Sequence, residues 1–187
     1  MHAWHDINPN RINEDHFLAL IEISKGSKNK YELDKETGRL ILDRVLFTST
    51  HYPQNYGFIP LTYADDYDPL DVLVLCSESI LPMAFVKCRP IGVLTMLDNG
   101  LPDAKIIAVA EHDPFYQEYD DISQVPDHVM EEIKHFFMVY KMLEKKSTDI
   151  EEVKGREEAK KIIRQSLDNY KNKIAPKIKE ERKQRGY

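Results

Sequence analysis

The chain has 187 residues, 42% hydrophobic and 31% charged, with a formal net charge of −6 and two cysteines. That length suits one domain with a sizeable core; no apolar run approaches the roughly 18 residues of a membrane span, and the first residues lack a signal-peptide core. From Lys141 onward Lys and Arg outnumber Asp and Glu by 15 to 9, so the preceding part is more acidic than the total suggests. An acidic body argues against nucleic acid as a partner and suits divalent cations. Cys76 and Cys88 sit in apolar segments without metal-ligand spacing, which predicts buried thiols in a reducing, cytoplasmic setting.

In chain order, residues 1–16 read as a frayed N-terminal arm, with Trp4 between His2 and His5 and no third metal ligand nearby. Residues 17–23 form an apolar strand interrupted by Glu22, a carboxylate that is costly there unless a cleft solvates or pairs it. Residues 30–33 alternate, 34–38 have turn composition and 39–46 return, which predicts a hairpin with Lys30, Glu32 and Arg44 on one face. Residues 52–60 carry two prolines and Gly57 and read as a bent segment, where Tyr52 and Tyr56 offer phenolic hydroxyls to an anion or simply pack.

Asp65-Asp66-Tyr67-Asp68-Pro69-Leu70-Asp71 places four carboxylates in seven positions, just before the apolar run Val72-Leu73-Val74-Leu75. Two carboxylates about 4 Å apart repel by roughly 4 kcal/mol at an effective dielectric near 20, so protons, cations or solvent must compensate. Asp66 and Asp68 share a side if the chain is extended, Pro69 bends it, and the apolar run draws Asp71 toward the core. Oxygen ligands without His or Cys favour Mg2+, Ca2+ or Mn2+. An EF-hand starting at Asp66 fails, because Asp71 and Ser77 stand where Gly and Glu are required. A phosphatase of the Asp-x-Asp type stays open as an alternative.

Strands are expected over 86–96, with a bulge at Pro90 and Gly92, and over 106–109. The Asn99-Gly100 turn between them carries Asp98 before it and Asp103 and Lys105 after it. A helix is predicted from Pro126 to about Lys146, with Val129, Met130, Ile133, Phe136, Phe137, Tyr140 and Leu143 on one stripe and Tyr140 and Lys141 at its edge. A second helix covers about 157–171. Pro176 is expected to interrupt it, and the basic end from Lys177 is too charged to bury.

Taken together, Asp66-x-Asp68-Pro69-x-Asp71-Val72, Tyr31-Glu32, Asp43-Arg44, Tyr52-Pro53-x-Asn55-Tyr56-Gly57, Asp103-Ala104-Lys105 and His135-Phe136-Phe137-x-x-Tyr140-Lys141 resemble the soluble family I inorganic pyrophosphatases. The resemblance runs from about residue 17 to 170. It implies an α+β fold, a small, highly twisted, OB-like five-stranded β-barrel with two main helices packed outside. It implies one catalytic domain at 17–171, flanked by the arm and a basic tail at 172–187. It also implies hydrolysis of pyrophosphate by metal-activated water, with Mg2+ as cofactor and Mn2+ or Co2+ as substitutes. By the same resemblance, Asp66, Asp71 and Asp103 hold a first ion, with Asp71 also serving a second. Asp98 and Asp103 take a further ion, and Glu22 supports the metal-water network. Lys30, Arg44, Tyr56, Lys105, Tyr140 and Lys141 bind the phosphates, and Asp68 accepts the proton from water. Asp68, Tyr56, Arg44 and Lys30 form the catalytic group, while Glu32 and Tyr52 support it in the same cavity. The compact length resembles bacterial members, which implies a homo-oligomer, a hexamer before a dimer. The family's bacterial tryptophan-bearing segment between the helices has no equivalent in 148–155, which lacks aromatic residues.

Overall fold

The structure, a computed structural model, describes residues 2–184; Met1 and residues 185–187, the end of the expected basic tail, lie outside the described residues. The strands are β1 (Phe17–Ile23), β2 (Asn29–Leu33), β3 (Leu40–Val45), β4 (Asn55–Phe58), β5 (Asp71–Leu75), β6 (Phe85–Asp98), β7 (Leu101–Ala110) and β8 (Thr148–Gly155). The helices are α1 (Asp127–Val139), α2 (Arg156–Asn169) and α3 (Ala175–Gln184).

Five strands hydrogen-bond in the order β1-β4-β5-β7-β6, and β6 pairs back onto β1. The ring is therefore closed, as the predicted OB-like barrel requires, and closure removes free strand edges. All its neighbours are antiparallel except β5 and β7. Strand β6 serves two sheets' worth of partners because it bends: register shifts between Pro90 and Gly92, so its start pairs with β1 and its end with β8. A Cβ at Gly92 would lie 2.8 Å from both Ile122 Cβ and the Lys154 carbonyl oxygen, so the bend needs glycine. Gly57 is similarly forced, since a Cβ there would meet the Leu20 carbonyl oxygen at 1.8 Å.

Both faces of the ring are covered. Val72 and Val74 of β5 pack with Trp4, Phe17, Ala159 and Ile163, whereas Leu73 and Leu75 pack with Tyr52, Ile133, Phe136 and Phe137. Burial on both faces is why β5 reads as an unbroken apolar run rather than an alternating one. The predicted hairpin forms as β2 and β3, with Lys30 opposite Arg44. Cys76 and Cys88 are free thiols, and burial pushes Cys88 well above the ordinary thiol range.

Three local expectations are corrected, and one strand appears where none was assigned. The first residues are not frayed: Ala3, Trp4, Ile7 and Ile12 are buried, and Trp4 Nε1 donates to the Thr62 carbonyl at 2.9 Å. Burying those apolar groups outweighs the ordering entropy that ordinarily frays a terminus. Helix α1 ends at Val139 rather than running on to 146; a 3-10 turn at Met142–Glu144 follows and turns Leu143 out to 66% exposure, off the apolar stripe. Residues 148–155 form β8, whose exposed outer face hides any strand pattern. Pro176 does not break the C-terminal helix, because a π-helical turn at Tyr170–Ile174 absorbs the change in register and Pro176 falls in the first turn of α3, where no intrahelical N–H is needed. Helix α3 has no buried residue, as its charge predicts.

Candidate active site

Strand register assembles the floor of the site. Asp71 opens β5 opposite Lys105 of the parallel neighbour β7, and Asp103 lies two positions earlier on β7, on the same side. Tyr56 arrives from β4, antiparallel to β5. Lys105, 4% exposed, reaches Asp71 Oδ2 at 2.5 Å, Asp103 Oδ2 at 2.8 Å and the Tyr56 hydroxyl at 3.1 Å. The Tyr56 hydroxyl in turn donates to Asp71 Oδ2 at 2.6 Å. Burial opposes charge on Lys105, yet Asp71, Tyr56 and Asp103 together hold its pKa well above the lysine range.

The acidic loop then delivers Asp66. One carboxylate oxygen each from Asp66, Asp71 and Asp103 falls within 4.8 Å of the others. Lys105 neutralises part of this charge but pairs directly with Asp71 and Asp103 and not, among the described residues, with Asp66. Burial, then the charges of Asp71 and Asp103, push Asp66 up to about 7; burial also raises Asp103. Three oxygen donors, two with elevated proton affinity, are a set that a hard divalent cation fits. Glu22 lies nearby without joining the trio. Its Oε1 accepts the Leu33 backbone N–H at 2.8 Å, and burial followed by the charge of Asp71 pushes it up to about 8.

Around this floor is a cleft of about 410 Å3. The hairpin forms one wall. Lys30 pairs with Glu32 and, at 3.3 Å, with Asp43; Arg44 also pairs with Asp43, and its Nε lies 2.9 Å from Glu144 Oε1. The Arg44 Nη2 group is buried without an acceptor among the described residues. A further part of the wall comes from the residues just after α1: Lys141 meets Asp98 Oδ2 at 2.5 Å, and Tyr140 lines the cleft with burial raising its hydroxyl pKa.

The structure thus gathers Glu22, Lys30, Glu32, Arg44, Tyr56, Asp66, Asp68, Asp71, Asp98, Asp103, Lys105, Tyr140 and Lys141 around one cleft. It does not bring all of them into contact. Asp98 faces Lys141 rather than the trio. Tyr52, 2% exposed, packs on Tyr56 and Phe136 behind the wall instead of lining the cleft. Asp66 and Asp68 do not share a side, because Tyr67 has φ 70° and the loop turns back through the Ala64 N–H to the Asp68 carbonyl at 2.8 Å. Asp66 therefore meets the trio while Asp68 pairs with Lys35. Sequence reasoning gave no site role to Trp4, Lys35, Asp43, Glu144 and Lys146, all of which line the cleft or pair with its walls. The sole tryptophan in a polar stretch was a usable signal for the first, since a free indole sacrifices much apolar burial; the others sit in ordinary polar turns and strand ends.

A closed five-stranded ring with helices outside and an acid-floored, cation-walled cleft defines a metal-assisted phosphoryl-transfer scaffold. The family model described as inorganic pyrophosphatase matches residues 19–171, and this chain belongs to that family. It is 48% identical over 176 residues to soluble inorganic pyrophosphatase 2 of Chlamydomonas reinhardtii, covering 94% of this chain and 92% of that protein. It is also 48% identical over 169 residues to the soluble inorganic pyrophosphatase PPA1 of Solanum tuberosum, covering 90% of this chain and 80% of that one. Among solved structures, the inorganic pyrophosphatase of Thermus thermophilus superposes with a TM-score of 0.82 at 40% identity, over 84% of this chain and 92% of that chain. That of Helicobacter pylori gives 0.83 at 40% identity, over 86% and 96% respectively.

Proposed function

We infer that this chain hydrolyses inorganic pyrophosphate to two orthophosphates, using water activated at a carboxylate-held site for divalent cations. The observation that carries this reading is the Asp66, Asp71 and Asp103 trio within 4.8 Å at the bottom of a cleft walled by Lys30, Arg44 and Lys141. When bound, Mg2+ ions supply Lewis-acid polarisation of water and of phosphoryl oxygens. Asp66, Asp71 and Asp103 would hold the first ion and Asp71 would also serve a second; Asp98, once released by Lys141, would serve with Asp103 one that accompanies substrate, and Mn2+ and Co2+ are the expected substitutes. Glu22 supports the surrounding water.

The cationic wall does the rest. A pyrophosphate anion arriving among Lys30, Arg44, Lys105, Tyr56, Tyr140 and Lys141 replaces internal carboxylate partners, and donors already in place at the leaving phosphate stabilise its developing charge. Asp68, about half exposed at the mouth, takes the proton of the attacking water. Glu32 steadies Lys30, and Tyr52 supports Tyr56 from behind.

The domain limits are proposed as catalytic residues 17–171, the docked segment 1–16 and a basic tail 172–187. Among the described residues no helix is long and apolar enough to cross a membrane. A cytoplasmic homo-oligomer, a hexamer before a dimer, without nucleic-acid or membrane partners, completes the proposal; sedimentation of the purified chain tests the assembly. A phosphate-release assay tests the function. Mg2+-dependent release from pyrophosphate, with little from a phosphomonoester and none with Ca2+ alone, is expected; preference for the phosphomonoester would favour the rival phosphatase.

A further inference from the structure

We propose that Lys35 is a positioning residue for Asp68, holding that carboxylate where it can take the proton from water. The inference rests on the reading of Asp68 as proton acceptor. Among the described residues, the Asp68 carboxylate pairs with Lys35 Nζ and with no other side chain. Its backbone is fixed by a donated hydrogen bond to Asp66 Oδ1 at 3.2 Å, but its side chain is 49% exposed and would otherwise exchange rotamers freely. Engaging Oδ1 leaves Oδ2 to receive a proton.

Lys35 is itself presented by a rigid turn. The Asp34 carboxylate accepts the backbone N–H groups of Glu36 and Thr37 at 3.2 and 3.3 Å and the Thr37 hydroxyl at 2.5 Å, and the Gly38 N–H closes onto the Asp34 carbonyl at 2.8 Å. His2 Nε2 donates to the Lys35 carbonyl at 2.9 Å, and the His2 ring packs on Gly38, where a Cβ would come within 3.2 Å of it. Two residues on, Trp4 is anchored to the Thr62 carbonyl, and the Thr62 hydroxyl accepts the Leu70 N–H at 2.9 Å at the far end of the acidic loop. The turn that carries Lys35 and the loop that carries Asp68 are thus fastened to the same N-terminal segment. Half-exposed ion pairs contribute little to stability. The consequence of this one falls on orientation, where displacement of a reacting group by about 1 Å costs up to about 100-fold in rate.

The test compares the full-length chain with Lys35→Met and Lys35→Arg at saturating Mg2+, and repeats Lys35→Met in an Asp68→Asn background. The proposal expects Lys35→Met to lower kcat by about tenfold with KM and thermal midpoint unchanged. It expects Lys35→Arg to recover most of that loss, and Lys35→Met to add nothing once Asp68 is Asn. A raised KM with native kcat would make Lys35 a phosphate contact, and a full tenfold loss in the Asp68→Asn background would make it independent of Asp68. Either result overturns the proposal while leaving Asp68 as proton acceptor. Near-native turnover by Asp68→Asn alone removes that reading and the proposal with it.

Discussion

The floor of the cleft and its hairpin wall carry similar residues in opposite states. On the floor, Asp71, Asp103 and Lys105 are 20%, 7% and 4% exposed, and acids outnumber the single lysine. On the wall, Lys30 and Arg44 are shared among Glu32, Asp43 and Glu144. Burial makes an excess charge expensive, so on the floor it raises the pKa values of Asp66 and Asp103; on the wall each cation already has carboxylate partners and no such excess arises. In the proposed mechanism, metal and substrate are therefore drawn to the two regions by different physics.

The sharpest way to break this contrast is at the floor. Asp71→Asn, which removes the carboxylate shared by Lys105, Tyr56 and the trio, should lower turnover by about 1,000-fold, the several kcal/mol that metal activation supplies. Steady-state phosphate release measures it, and a loss below tenfold would place the reaction elsewhere. Lys105→Met should cost about 3 kcal/mol of stability in the metal-free protein, by leaving buried acids unpaired, and about 100-fold in activity. Denaturant melts should show part of the stability returning with Mg2+. At the wall, Arg44→Lys keeps charge but loses the forked contact with Asp43 and Glu144. A fall of about tenfold in kcat/KM with a thermal midpoint within a degree or two would confirm that the wall serves substrate more than fold.

The smallest effect is a matter of sign. Asp66 at about 7 and Glu22 at about 8 are raised above their ordinary values, so the metal-free fold holds protons that the unfolded chain gives up near pH 4. Their contribution therefore declines as pH rises from about 4 to 8. Metal-free melts should show a midpoint falling between pH 6 and pH 8.5, with Mg2+ restoring more at the upper end. Asp66→Asn should flatten the slope.

How much of this was legible beforehand follows the same division. The floor was readable because its residues sit in compact motifs beside apolar strands: Asp66 to Val72 and Asp103 to Lys105 announce buried charge within a few positions. The hairpin was readable from alternation at Lys30 to Leu33. What escaped were contacts made across long separations by unremarkable residues, such as His2 with the Lys35 turn and Glu144 with Arg44. Positive φ at Tyr67 also escaped, because nothing in a tyrosine favours the left-handed region; only the closed loop imposes it. Strand β8 was hidden because its polar outward positions carry no period.

The central claim, that the trio holds the divalent cation, is tested most directly by calorimetric titration of Mg2+ in buffers of different ionisation enthalpy. The account predicts binding at pH 7 accompanied by net proton release, since burial and the charges of Asp71 and Asp103 push Asp66 up to about 7. The release should shrink toward zero by about pH 9.5 and binding should weaken sharply in Asp71→Asn. Binding at pH 7 with no protons released and an unchanged affinity in Asp71→Asn would contradict it.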